Sequence, residues 1–253
     1  MTSADDPRVV SLAPSATNTL VAMGATESIV GATDHSPVEA ESVGRWLNPS
    51  VEAIAALSPD VVFTTDALQE GVVSRLDAVD VDVVHLDPRT VEAVLASFET
   101  IGEAVGRPQQ AAALEAACRD RIEAVRTRVP WSDGERPIVY CEEWDTPPMA
   151  AGNWVPEAVR IAGGEYPFVE PGERSEEISR AAVEAADPDH VILHYCGRGA
   201  DVDPRAFTDR EWTVEATVTV FEDAWLNQPS PTLVDGIERL AAVLHSDHTD
   251  RDG

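Results

Sequence analysis

Ser50-Val51-Glu52-Ala53-Ile54-Ala55-Ala56-Leu57-Ser58-Pro59-Asp60-Val61-Val62-Phe63-Thr64 spells out a helix, a stop and a strand in one short run. The helix covers Ser50–Leu57, with Ser50 placed to cap it. Pro59 cannot continue that helix, and Asp60 opens an apolar, β-branched run that reads as a buried strand. The same grammar returns at Ser179–Tyr195, where a helix meets Asp187-Pro188-Asp189 and then Val191-Ile192-Leu193. One unit written twice predicts two related α/β lobes.

Working outward, strands at Arg8–Leu12, Ile29–Ala32, Asp60–Thr64 and Asp82–Leu86 alternate with helices at Ser15–Met23, Ser50–Leu57 and Gln69–Ala78. Such alternation indicates a mostly parallel sheet covered on both faces. From Thr90 to Val129 the strand pattern stops. That stretch is helical in spacing and broken once, at Gly106-Arg107-Pro108. Alternation resumes with strands at Pro137–Cys141, His190–Tyr195 and Thr217–Phe221 and helices at Val155–Ala162, Ile178–Ala186 and Thr232–Leu244. The expected organisation is an N-terminal lobe over 1–89, a connecting helix over 90–130 and a C-terminal lobe over 131–253. The fold class is α/β: two lobes with mostly parallel sheets joined by a single long helix. A cleft between such lobes is a preferred place for a ligand.

Composition removes several function classes. The net charge is −28, from 46 acidic residues against 18 basic ones, every one of them Arg. Acid spread along a whole chain repels itself in dilute buffer, and about 1 M salt screens it to roughly 3 Å. A high-salt environment is therefore expected, and nucleic-acid binding, which needs basic patches, is not. No apolar run is long enough for membrane insertion. Met1–Pro7 has neither a basic region nor an apolar core, so the sequence as given is expected in the cytoplasm, with the cell surface as the alternative should a signal segment precede it. Cys118, Cys141 and Cys196 are odd in number and widely spaced, which fits free thiols.

Phosphate loops and the Gly-x-Ser-x-Gly elbow are absent from the sequence. His190 and His194 flank a predicted strand and are not expected to bind a metal together. Four other segments are informative. Ser11-Leu12-Ala13-Pro14-Ser15 links a strand to a helix with small residues that let a ligand approach the backbone. Gly44-Arg45-Trp46-Leu47-Asn48-Pro49 puts an indole in a loop. Glu142-Glu143-Trp144-Asp145-Thr146-Pro147-Pro148-Met149-Ala150-Ala151-Gly152-Asn153-Trp154-Val155-Pro156-Glu157 reads as a stiff apolar loop after a strand that could wall a ligand. Trp225-Leu226-Asn227-Gln228-Pro229-Ser230-Pro231 adds a fourth indole before the last helix.

Together these segments resemble the cobalamin-binding branch of the substrate-binding proteins that serve ABC importers, from about Arg8 to Leu244. Cys196-Gly197 after a strand adds to the likeness. The resemblance implies a class III fold of two lobes on one long helix, with a corrinoid held between the lobes by aromatic and main-chain contacts and no catalysis. It implies no cofactor of the protein's own and a monomer. On that basis Pro14, Ser15, Trp46, Trp144, Trp154 and Trp225 are the candidate ligand contacts. The family also docks one acidic residue per lobe onto an ABC permease. Glu52 matches the first such position, while the second falls at Ala181, with Glu177 and Glu184 nearby. Met149 stands where the family favours an aromatic, and Asn153 where it favours His.

Two other readings use the same residues. An iron–siderophore or haem protein of this fold would need arginines such as Arg45, Arg89, Arg174 and Arg198 to converge. A corrinoid-processing or metal-dependent enzyme would need an acid/base constellation, for which Glu142, Glu143 and Asp145 are the nearest cluster.

Overall fold

The structure is a computed structural model that describes residues 6–34, 36–129 and 136–246. Most of the Met1–Pro7 segment lies outside the described residues. Two compact units divide between Pro88 and Arg89 and again between Cys118 and Arg119, with Arg89–Val91 grouped in the second.

The first unit is built from β1 (Val9–Ser11), α1 (Pro14–Ala22), β2 (Ile29–Ala32), β3 (Glu41–Ser42), β4 (Gly44–Arg45), β5 (Asn48–Pro49), α2 (Val51–Ala56), β6 (Val61–Thr65), α3 (Glu70–Leu76) and β7 (Asp82–Leu86). Its sheet runs β3-β2-β1-β6-β7, and every neighbouring pair is parallel. Central strands of a parallel sheet are covered on both faces, which is why β6, Val61-Val62-Phe63-Thr64-Thr65, is buried throughout. Val10, Leu12, Ile54, Val62, Val72 and Leu76 form the core on one side. The Gly44–Pro49 loop is a small antiparallel hairpin of β4 and β5, with Trp46 and Leu47 at its tip.

The helical stretch divides at the expected break, into α4 (Val91–Ala104) and α5 (Pro108–Arg128). Gly106 takes a positive φ of 67° to end α4, and Pro108 starts α5 where its missing N–H costs nothing.

The second unit contains β8 (Val139–Asp145), β9 (Pro148–Ala150), α6 (Val155–Ile161), β10 (Glu176–Glu177), α7 (Arg180–Ala186), β11 (His190–Leu193), α8 (Arg205–Thr208), β12 (Thr217–Val220), α9 (Asp223–Asn227) and α10 (Thr232–Leu244). Its sheet runs β10-β9-β8-β11-β12. The β8–β11–β12 half is parallel, whereas β9 and β10 join it antiparallel. The Trp144–Glu157 segment is thus not the irregular loop expected from its prolines. β8 continues past Cys141 to Asp145, turns at a cis Thr146–Pro147 bond and returns as β9. Pro148 is tolerated because a proline can begin a strand without breaking its ladder. Glu176 and Glu177 pair with β9 rather than leading into a helix, so α7 begins only at Arg180.

The internal repeat extends to individual atoms. Ser50 and Ser179 each cap a helix, accepting from Ala53 N at 3.1 Å and Ala182 N at 3.3 Å. Ser58 and Asp187, each just before the proline, are left-handed, with φ of 46° and 48°. Asp60 accepts from the backbone N of Arg8 at 2.6 Å, and Asp189 from that of Ile138 at 2.7 Å. Each aspartate thereby clips the start of one strand to the start of the central strand beside it.

Candidate functional site

In the first unit the candidate residues lie where the parallel strands end. Thr17 Oγ1 donates to Ser11 Oγ at 2.9 Å, and Ser11 Oγ donates to Ala13 O at 3.0 Å. These bonds fold the β1–α1 turn tightly and place Pro14 at the first position of α1. Pro14 is half-buried and Ser15 buried. Trp46 is half-buried at the β4–β5 tip, and its carbonyl accepts from Gln69 Nε2 at 2.7 Å. Glu52 is exposed on the first turn of α2 and accepts from Ser50 Oγ at 3.2 Å.

In the second unit Trp144 is 45% exposed near the β8–β9 turn, its indole N–H bonded to Thr146 O at 2.9 Å. Beside it, Arg198 reaches Asp145 at 3.2 Å and lies 5.4 Å from the centre of the Tyr195 ring. Trp154 is only 8% exposed, and its indole N–H donates to Leu226 O at 2.7 Å. Trp225, next to Leu226, is half-buried and packs edge-on against Phe221 at 5.3 Å.

Asn227 then fixes His194. Its Nδ2 donates to the His194 carbonyl at 2.7 Å, so its Oδ1 faces the ring and meets Nδ1 at 2.6 Å. Nδ1 must therefore carry the proton, and Nε2 holds the bare lone pair. That Nε2 is buried without a hydrogen-bond partner. Burial pushes the His194 pKa down to about 4, against the opposing bond from Asn227, so the ring is neutral at neutral pH.

Glu142 is fully buried and completely engaged. Arg210 donates to its two oxygens at 2.8 and 2.7 Å, Tyr140 to Oε2 at 2.8 Å and Tyr195 to Oε1 at 2.6 Å. The Arg210 guanidinium also lies 4.9 Å from the Trp212 ring centre and 5.4 Å from that of Phe207. Burial, reinforced by the Glu142 charge, raises the Tyr140 and Tyr195 hydroxyl pKa values well above the usual phenol range. Both tyrosines are thus donors at any ordinary pH.

The structure thus gathers Pro14, Ser15 and Trp46 at the end of the central strand β1. It joins Trp154 to Trp225 through Leu226, and leaves Trp144 on its own hairpin. Of the acidic docking candidates, Glu52 and Glu177 are exposed, and Glu184 is engaged by Arg180 and the Thr213 backbone N–H. Sequence reasoning missed Gln69, the His194–Asn227 pair and Arg210. Only Tyr140-x-Glu142 carried a signal, since residues two apart on a strand share a face. Among the ligand candidates the indoles of Trp46, Trp144 and Trp225 keep part of their surface exposed. Glu142, the first member of the acidic cluster, is held by four donor groups from three residues. Among the described residues no group of three His, Cys, Asp or Glu could hold a metal ion, and no helix is long and apolar enough to cross a membrane.

A sequence profile described as periplasmic binding protein matches residues 9–214. The chain belongs to the periplasmic binding protein family. This binding protein is 28% identical to a cobalamin-binding protein of Halobacterium salinarum, over 94% of its own length and 69% of the relative's. Its fold is that of a periplasmic heme-binding protein from Roseiflexus sp. RS-1 (TM-score 0.81, 19% identity, 95% and 98% of the two chains). It is also that of the periplasmic vitamin B12 binding protein of Vibrio cholerae (TM-score 0.76, 19% identity, 96% and 98%). These solved structures establish the class III binding-protein fold of two α/β lobes.

Proposed function

We propose that this chain binds cobalamin or a related corrinoid without transforming it, as the substrate-binding component of an ABC uptake system or a relative of one. The observation that carries the reading is the match to the Halobacterium salinarum cobalamin-binding protein across 94% of the chain. The side chains agree with it. The first unit offers Pro14, Ser15 and Trp46, and the second offers Trp144 and Trp225, with Trp154 holding the turn that carries Trp225. A corrin ring is broad and partly apolar with a fringe of amides, and indoles beside neutral polar groups suit it. The engagement of Glu142 argues against acid/base catalysis at that strand end. The net charge of −28 supports a high-salt setting. Glu52 is the residue we assign to permease docking.

Titration with cobalamin in about 2 M KCl, where charge repulsion is screened, tests the reading. A saturable change in the cobalamin visible spectrum with quenching of Trp fluorescence at micromolar ligand is expected. No saturable change, or tighter binding of a ferric chelate or haem in competition, overturns it. Arg198, one of the arginines a ferric chelate would call on, is already paired with Asp145.

A further inference from the structure

We propose that Gln69, which no sequence motif singled out, is the positioning residue of the first unit's ligand face; this rests on the corrinoid reading. Gln69 is fully buried, and its amide is saturated by three backbone groups. Oε1 accepts from Thr65 N at 2.7 Å, while Nε2 donates to Leu12 O at 3.2 Å and Trp46 O at 2.7 Å. Thr65 ends β6, Leu12 follows β1 immediately before Ala13-Pro14-Ser15, and Trp46 is the hairpin tip. One side chain therefore ties the Trp46 hairpin tip to the end of β6 and to Leu12, which leads into Ala13-Pro14-Ser15.

The local backbone is shaped to deliver that amide. Asp66 adopts φ 64° and ψ 144°, a conformation costly for any residue but Gly. It is held there by its N–H on Leu86 O at 2.8 Å and by Leu68 N on its own carboxylate at 2.8 Å. The turn that follows brings Gln69 inward. Arg75, on the next turn of chain, reaches Leu47 O and Asn48 Oδ1 at 3.3 Å from the exposed side of the same hairpin. The chemistry of the clasp is specific to Gln. It needs one acceptor and two donors at the end of a two-methylene stem. Asn is too short, Met has neither function, and an ionised Glu would set a carboxylate against two carbonyl oxygens.

The test uses Gln69→Glu and Gln69→Met in about 2 M KCl, with three readouts: the unfolding midpoint, amide hydrogen exchange in segments 11–15 and 44–49, and cobalamin affinity. Losing two buried donors is expected to speed exchange in both segments and weaken cobalamin binding roughly tenfold or more. Gln69→Glu adds a signature that a merely structural role would not give. As pH falls toward about 5 its carboxyl, raised by burial, takes up a proton and regains a donor. Its affinity, relative to wild type at each pH, should then recover, while that of Gln69→Met stays low. Wild-type affinity in both variants, unchanged exchange at 44–49, or loss of binding in Gln69→Glu with no recovery at low pH overturns the proposal. Should either variant fail to fold, Gln69→Asn, which keeps the amide but not the reach, is expected to speed exchange at 11–15 and 44–49 and to weaken cobalamin binding, and wild-type values for both overturn the proposal. If wild type binds no cobalamin, the corrinoid reading fails, yet the exchange of 44–49 still decides the clasp.

Discussion

Arg210 sets its two terminal guanidinium nitrogens against the two carboxylate oxygens of Glu142, at 2.8 and 2.7 Å, with Glu142 wholly buried and Arg210 16% exposed. A carboxylate in that position is tolerable only because four donors meet it. The pair also pins the segment between β11 and β12 to the middle of β8, two residues before Trp144.

Arg210→Met should therefore be severe. It leaves a buried carboxylate short of its countercharge, a change that costs about 3–5 kcal/mol. Chemical denaturation at constant high salt measures it. Glu142→Gln combined with Arg210→Met should recover a good part of the loss, because no charge is then stranded. A single variant as stable as wild type would show that the ion pair does not hold this segment.

His194 makes stability fall toward acid. Its folded pKa near 4 lies below the ordinary value of 6.5, so the unfolded chain binds the proton first as pH drops. The contribution is complete above about 6.5, erodes through the interval down to about 4, and amounts to something on the order of 3 kcal/mol. His194→Gln, which can still donate to Asn227, should flatten the difference between denaturation midpoints measured at about pH 7 and pH 4.5. Parallel pH profiles for the two proteins would contradict it.

Gly236 allows α10 to lie directly on the Trp225 backbone, where an added Cβ would run into the Trp225 carbonyl. Gly236→Ala should cost about 1–3 kcal/mol through overpacking. Because the displaced group is the backbone of Trp225, cobalamin affinity should fall with it. Unaltered affinity in a destabilised but folded Gly236→Ala would remove Trp225 from the ligand face.

Salt should stabilise the fold mainly at its first additions. Screening shortens from about 30 Å at 0.01 M to about 3 Å at 1 M, so a protein of net charge −28 should gain most of its thermal midpoint below about 1 M KCl. Scanning calorimetry across a KCl series decides this. A gain that begins only above that concentration would point to salting-out of apolar surface instead of relief of repulsion.

The two-lobe organisation was legible because it is written in local chemistry. Ser50 and Ser179 as caps, Pro59 and Pro188 as stops, and Asp60 and Asp189 as strand openers need nothing beyond a few neighbouring residues. The Trp144–Glu157 segment was misjudged for the converse reason. Its prolines argue locally against a strand, whereas β9 is decided by pairing with β8 and β10. The Trp residues could be named from the sequence, yet not sorted. Whether an indole is half-exposed like Trp144 or spent on a distant carbonyl like Trp154 depends on what the chain brings opposite it.

The sequence by itself determined the alternation of elements, the doubled unit, the break before Pro108 and the acidic surface, since periodicity, capping and charge act over a few residues. Only the tertiary structure decided that Gln69 clasps three strand ends, that Arg210 neutralises Glu142, and that Asn227 fixes the His194 tautomer. The physical reason is that a buried polar atom must find its partner in space, and apart from Thr65, four residues from Gln69, those partners lie 23 to 68 residues away along the chain.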